Sequence, residues 1–82
     1  MTESARSDRS LITVASLVSL YRMNELPFHL KKALENGVTR DELIELITHL
    51  AFYSGWPTAN TALPIARRVF DETGAHVNGP SD

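Results

Sequence analysis

The chain has 82 residues, of which 43% are hydrophobic and 22% charged, a composition typical of one small globular domain. It contains no cysteine, which excludes disulfides, thiolate metal sites and redox chemistry at a cysteine pair. The net charge of -2, without any basic block, argues against nucleic acid as the main partner.

Both ends of the chain are polar and rich in helix breakers. Residues 1–10, MTESARSDRS, lack the apolar core of a signal peptide, and no run is long and apolar enough to span a bilayer. We therefore expect a cytoplasmic protein with no membrane partner. We also expect a disordered tail over 1–7, a helical domain over 8–73 and a flexible tail over 74–82, where His76 has no assigned role.

Four helices and no strand are predicted. The first runs from about Asp8 to Arg22, with Ser7 or Asp8 as its cap. Its apolar residues cover nearly every side: Leu11, Ile12, Val14, Ala15, Leu17, Val18, Leu20 and Tyr21. A helix that is apolar on all sides must be buried on all sides. Three other short helices can hardly surround it, so we expect part of its surface to contact another chain.

The second helix is predicted from about Glu25 to Asn36. Asn24 is its expected cap, Pro27 suits its first turn, and Gly37 suits its C-terminal stop. One clean apolar face is formed by Leu26, Leu30, Ala33 and Leu34.

The third helix begins with a capping box of Thr39 and Glu42 and runs to about Ser54, where Gly55 ends it. Helical spacing predicts a core stripe of Leu43, Leu46, Ile47, Leu50 and Ala51.

The fourth helix is predicted from the first turn at Pro57 to about Glu72. The Gly-Trp-Pro sequence before it is explained as a tight joint between two helices. Pro64 removes a backbone donor from the interior of this helix, so we expect it to kink or divide the helix.

Two phenylalanines lie opposite the apolar faces of their helices. At about 100° per residue, Phe28 faces away from the Leu26 face and Phe52 faces away from the Ile47 stripe. Together with the first helix, they predict a core that is completed between subunits of a homo-oligomer.

Glu25 and His29 are one helical turn apart, which is suitable for a general acid/base pair in which the carboxylate orients the imidazole. The alternative is a solvated pair that adds only a few tenths of a kcal/mol. Lys32 continues the same stripe, where it either holds an anion or is simply solvated.

The third helix carries a similar stripe of Glu42, Glu45 and His49. It lacks the spacing of a metal-binding motif, so no metal site is predicted. His49 is either a ligand-facing group or a partly buried histidine bonded to a carboxylate. Tyr53 follows it at i+4 and can line the same wall, and Trp56 is either a pocket wall or a core plug.

The segment ELPFHLKKALENGVTRDELIELITHLAFYSGWPTANTAL strongly resembles the core of the carboxymuconolactone decarboxylase family. The matching motifs are ELPFH, then A-x-x-N-G-V-T-x-x-E, then H-x-A-x-Y-x-G-W-P, in that order. With weaker likeness in LITVASLVSL and ARRVFDE, the resemblance covers about residues 8–72.

The resemblance implies an all-α fold like that of the alkylhydroperoxidase D proteins, assembled as trimers or hexamers. It also implies loss of carbon dioxide from gamma-carboxymuconolactone, giving an enol-lactone in aromatic-compound breakdown, without metal or organic cofactor. Members with this activity are usually longer, with N-terminal helices that help enclose the site. The pocket of this chain is then either open to water or completed by a neighbouring subunit.

Residue by residue, the resemblance implies that His29 is the acid/base group, Glu25 its orienting partner and His49 a second polar group across the pocket. Arg22 and Glu25 fall where the peroxidase branch has its two cysteines, so thiol peroxidase chemistry is excluded. Arg22, Tyr53 and Trp56 are the expected substrate-binding residues, and the substrate is a small carboxylate or lactone.

Two functions from different classes are compatible with these residues. The first is a decarboxylating lyase, which a closed pocket joining Glu25, His29 and His49 would favour. The second is a non-catalytic, oligomeric module that binds a small ligand or a partner, which an open or plugged site would favour. A metal-dependent hydrolase comes third.

Overall fold

A computed structural model describes residues 3–74, with side chains described from residue 5. Its elements are four α-helices: α1 (Glu3–Ser19), α2 (Leu26–Glu35), α3 (Arg40–Ser54) and α4 (Trp56–Thr73). The predicted all-α bundle of four helices is therefore confirmed. None of the helices within residues 3–74 has the length and apolarity needed to cross a membrane. Of the predicted C-terminal tail only Gly74 is described, and His76 lies outside the described residues.

Helix α1 begins at Glu3 rather than Asp8, so the predicted disorder of 1–7 is wrong for residues 3–7. Extending a helix costs far less than nucleating one, and the half-buried Ala5 and Ser7 give this polar turn tertiary support. The predicted start at Asp8 depends on local polarity, and local polarity does not show which residues the rest of the fold will bury.

Helix α1 ends at Ser19 rather than Arg22, because Tyr21 adopts a left-handed conformation with φ 59°. The Arg22 N–H donates to Leu17 O at 2.8 Å, and the Tyr21 N–H donates to Val18 O at 3.1 Å. These two bonds form a Schellman motif, in which glycine usually takes the left-handed position.

Helix α2 matches its prediction within one residue at each end, but its cap does not. The N-cap is Glu25 instead of Asn24, and its side chain makes no capping hydrogen bond because the carboxylate bonds to Arg22. Pro27 in the first turn is confirmed, and Gly37 follows the helix with φ 97°.

The joints on either side of α3 follow their predictions. Thr39 accepts a hydrogen bond from the Glu42 N–H at 3.1 Å, and the Glu42 carboxylate accepts one from the Thr39 N–H at 2.8 Å. Gly55, at φ 95°, separates α3 from α4.

Pro64 does not divide α4, which continues to Thr73. Its ring is exposed, so the carbonyl that loses its helical partner can bond to water.

The core lies where α1 packs on the other three helices and α4 packs on α2 and α3. The predicted faces of α2 and α3 supply it through Leu26, Leu30, Ala33, Leu43, Ile47 and Ala51, all at most 2% exposed. Large apolar side chains also remain outside. Phe28 is 64% exposed and Phe52 70%, so both face away from the core as predicted. Ile12 of α1 and Leu20, which directly follows α1, are exposed as well.

Candidate functional site

A cavity of about 280 Å³ lies between α1 and α2, and we call it the cationic cavity. Its lining consists of Arg6, Arg9, Ser10, Thr13, His29, Lys32 and Asn36. A volume of this order suits a small molecule of a few carbon atoms. Six of these residues lie on α1 and α2, which are consecutive in the chain, and the seventh, Asn36, is the C-cap of α2.

The α1 wall is built by helical periodicity. Arg6, Arg9, Ser10 and Thr13 recur at i, i+3, i+4 and i+7, so one face of the helix carries all four. The Thr13 hydroxyl donates to the Arg9 carbonyl oxygen at 3.0 Å, which satisfies it within the helix.

The α2 wall repeats the pattern with His29, Lys32 and Asn36 at i, i+3 and i+7. The Asn36 side-chain amide donates to the Ser10 hydroxyl at 3.0 Å and thereby joins the two walls. His29 is half-buried, and its ring meets the Phe28 ring edge-on at a centroid distance of 5.1 Å. The imidazole therefore lines the cavity and has an aromatic contact with its neighbour in the chain.

Among the side chains described from residue 5 onward, those that line the cationic cavity carry positive charge and include no carboxylate. Arg6, Arg9 and Lys32 contribute the charges, while His29, Ser10 and Asn36 contribute hydrogen-bonding groups. Lys32 Nζ lies 3.7 Å from a Glu35 carboxylate oxygen, but both side chains are more than half exposed, so the pair is weak. Such a cavity can hold a small anion beside an imidazole, a side chain that can serve as a general acid or base.

Glu25 does not pair with the imidazole of His29 as expected. Its carboxylate accepts a hydrogen bond from Arg22 at 2.8 Å, and this bond lowers the pKa of Glu25 and raises that of Arg22. Within residues 3–74, the hydrogen bond between Glu25 and His29 is a backbone one, from the His29 N–H to the Glu25 carbonyl at 3.5 Å. Arg22, the predicted substrate-binding residue, is thus bonded to Glu25, the predicted orienting residue.

His49 lines a different cavity, of about 390 Å³, with Glu42, Glu45, Leu46 and Leu11. Its ring lies 5.2 Å from that of Tyr53, so these two side chains are neighbours as their spacing predicted. Over residues 3–74, no group of three or more histidine or acidic side chains is placed to hold a metal ion. The single chain does not bring His29 and His49 into one pocket.

Trp56 is 52% exposed, so it does not plug the core. Its ring meets that of Phe52 at 5.3 Å across the Gly55 joint. With Tyr53, which is 77% exposed, these aromatic rings form a surface group that we call the aromatic patch: Phe52, Tyr53 and Trp56.

Sequence reasoning missed most of the cationic cavity. His29 was expected as a site residue and Lys32 as a possible anion ligand, whereas Arg6, Arg9, Ser10, Thr13 and Asn36 had no expected role. The regular spacing on α1 was a usable signal. An expected disordered tail over residues 1–7 hides this signal, because Arg6 then falls outside the helical pattern.

Comparison with known proteins agrees with the resemblance in the sequence. The family model described as "Carboxymuconolactone decarboxylase family" matches residues 4–68. A 4-carboxymuconolactone decarboxylase of Acinetobacter baylyi is 48% identical over 69 residues, 84% of this chain and 52% of that protein. A nitrosuccinic acid decarboxylase of Metarhizium robertsii is 31% identical over 67 residues, 82% of this chain and 47% of that protein. The chain spans about half the length of these relatives. It belongs to the carboxymuconolactone decarboxylase family.

Proposed function

We propose that this chain is a cofactor-independent decarboxylase that removes carbon dioxide from a lactone carboxylate in the breakdown of aromatic compounds. Its family and its 48% identity to a protein named 4-carboxymuconolactone decarboxylase support this proposal. The observation that carries it is the position of His29 in a cavity lined by Arg6, Arg9 and Lys32. An acid/base group and anion-binding charges are the two elements that such a reaction requires.

The reaction moves negative charge from one part of the substrate to another. The bond between the carboxylate carbon and its neighbour breaks, carbon dioxide leaves, and the electron pair stays on the conjugated lactone as an enolate. A proton then adds to the lactone. Positive charges beside the enolate oxygen stabilise this intermediate, and the imidazole of His29 supplies the proton.

The remaining predicted site residues enter the proposal through oligomerisation. We infer a homo-oligomer, a trimer or hexamer, in which the aromatic patch and His49 of one subunit approach the cationic cavity of another. The exposed Phe28 and Phe52 support this inference, since single chains rarely leave such large apolar side chains in water in groups. In this oligomer the Glu25 carboxylate leaves Arg22 and orients the imidazole of His29. A cytoplasmic location and a small-molecule carboxylate or lactone as substrate complete the proposal.

The test is release of carbon dioxide from gamma-carboxymuconolactone by wild type, His29→Ala and Glu25→Ala. We expect turnover in wild type and a fall in kcat of roughly 100-fold or more in His29→Ala, the usual contribution of a general acid or base. His76→Ala is the matched control, because it removes a histidine outside the family match at residues 4–68 and should keep full activity. No turnover in a folded wild-type protein, or full activity in His29→Ala, contradicts the proposal.

A second candidate is a non-catalytic module that binds a small ligand through the same cavity. The separation of His29 and His49 into different cavities favours it, as does the bond that Arg22 makes with Glu25. Its signature is saturable binding of a carboxylate by an oligomer that releases no carbon dioxide.

A further inference from the structure

We propose that Tyr21 is a positioning residue for His29: the bond of its hydroxyl to Thr61 fixes the connection between α1 and α2, and with it the first turn of α2. This inference rests on the proposed function, in which His29 is the acid/base group. It deepens that function by naming a residue that acts through His29 and does not itself line the cationic cavity.

The backbone of Tyr21 is strained. Its φ of 59° lies in the left-handed region, where the Cβ of any residue other than glycine crowds the backbone. Within residues 3–74, the other residues with a positive φ are all glycines. Such strain persists only where the surrounding structure holds the residue in place, and strained residues cluster at functional sites. Tyr21 therefore needs a contact that offsets its strain.

The side chain of Tyr21 makes that contact. Its hydroxyl lies 2.8 Å from the hydroxyl of Thr61, a half-buried residue of α4. Because α4 is itself packed on α2 and α3, the bond fastens the connection between α1 and α2 to the body of the bundle. On the other side, the backbone N–H groups of Tyr21 and Arg22 donate to the last turns of α1.

The first turn of α2 depends on this connection because its own bonds are weak. Its N-cap, Glu25, makes no capping hydrogen bond, and the His29 N–H meets the Glu25 carbonyl at 3.5 Å, which is long for a hydrogen bond. Three residues separate Tyr21 from Glu25, so a shift of the turn at Tyr21 passes directly to α2. The imidazole of His29 moves with this turn, and a misplacement of about 1 Å can slow a reaction about 100-fold.

Tyr21→Phe and Thr61→Val test the inference in the full chain. Each removes the bond, so each should lower kcat for carbon dioxide release roughly two- to tenfold, the rate equivalent of one hydrogen bond, with little change in KM. The double variant should be no slower than the slower single variant. Thr73→Val is the matched control, because it removes another threonine hydroxyl of α4, one that bonds within its own helix, and should keep full activity.

Tyr21→Gly separates positioning from stability. Glycine adopts the left-handed turn without strain but supplies no hydroxyl, so this variant should resist urea about as well as Tyr21→Phe and lose as much activity. NMR spectra of the imidazole protons give a readout without turnover. Variants that lack the bond should shift the signals of His29 and leave in place those of His49, which lies on α3.

Full activity in Tyr21→Phe, or signals of His29 and His49 that shift equally or not at all, would overturn the inference. Selective shifts of the His29 signals in a protein that releases no carbon dioxide would defeat the proposed decarboxylase but leave the positioning by Tyr21 standing. Carbon dioxide release that does not respond to Tyr21→Phe would do the reverse.

Discussion

The carboxylate of Glu25 lies 2.8 Å from the guanidinium of Arg22, three residues earlier in the chain. Its side-chain hydrogen bond therefore goes to this arginine and not to His29, the histidine that it is expected to orient. This bond holds the pKa of Glu25 below its ordinary value of 4.5. In the folded chain the carboxylate of Glu25 is therefore stabilised in its ionised form by Arg22.

Arg22→Gln should raise the pKa of Glu25 toward 4.5, as measured by NMR titration of its carboxyl carbon. Because the folded pKa is depressed, the pair contributes stability above pH 4.5, and that contribution is lost as the pH falls through the folded pKa. Arg22→Gln should thus destabilise the chain slightly at neutral pH and not at all in strong acid. Arg68→Gln on α4 is the control, and an unchanged Glu25 titration in Arg22→Gln would contradict the ion pair.

The connection between α1 and α2 is tied to α4 by one side-chain hydrogen bond. The hydroxyls of Tyr21 and Thr61 are 2.8 Å apart, and Tyr21 is the residue in the left-handed conformation. We expect Tyr21→Phe and Thr61→Val each to lower the free energy of unfolding by about 0.5–1.5 kcal/mol. In a double-mutant cycle by urea denaturation, the two losses should not add. Strict additivity would show that the bond contributes nothing.

The two prolines of α4 should respond oppositely to alanine. Pro64 lies in the helix interior, where proline costs about 3 kcal/mol relative to alanine, while the greater freedom of the unfolded chain returns up to about 1 kcal/mol. Pro64→Ala should therefore raise the free energy of unfolding by about 2 kcal/mol. Pro57 lies in the first turn, where no N–H is needed, so Pro57→Ala should give no such gain. Destabilisation by Pro64→Ala would indicate a packing role for the exposed ring.

Phe52→Asp should dissociate the proposed oligomer, because it places a charge on an apolar contact surface. Sedimentation velocity should show the loss of the assembled species. The helical circular dichroism should change little, since Phe52 is 70% exposed in the single chain. Asn60→Asp adds the same charge at an exposed polar position and should leave the assembly intact. A wild-type protein that sediments as a stable monomer would refute the inter-subunit role of Phe28 and Phe52.

Features that depend on neighbouring residues could be predicted from the sequence. The capping box of Thr39 and Glu42, the stop at Gly55 and the buried face through Leu30 all follow from spacing within one helix. Helical spacing also predicts that Phe28 and Phe52 point away from the core. Periodicity specifies which side of a helix is apolar, and burial then follows that side.

Features that depend on the partner of a side chain could not be predicted in this way. Spacing allows Glu25 to reach Arg22 at i-3 or His29 at i+4, and only the turn at Tyr21 decides which of them it meets. Similarly, His29 and His49 appear equivalent along the chain, but the packing of α1 on both α2 and α3 assigns them to separate cavities. The cationic cavity itself forms only where the polar faces of α1 and α2 pack opposite each other, and the sequence of either helix alone does not show that packing.

The position of Arg6 has a practical consequence for handling this protein. Helix α1 begins at Glu3, one turn before Arg6, so anything fused to Met1 is attached within a few residues of the cationic cavity. A polyhistidine purification tag at that end would bring extra imidazoles and positive charge to the same place, where they would compete for carboxylates and confuse a titration. Preparations for ligand studies are better tagged after residue 82, or cleaved before use.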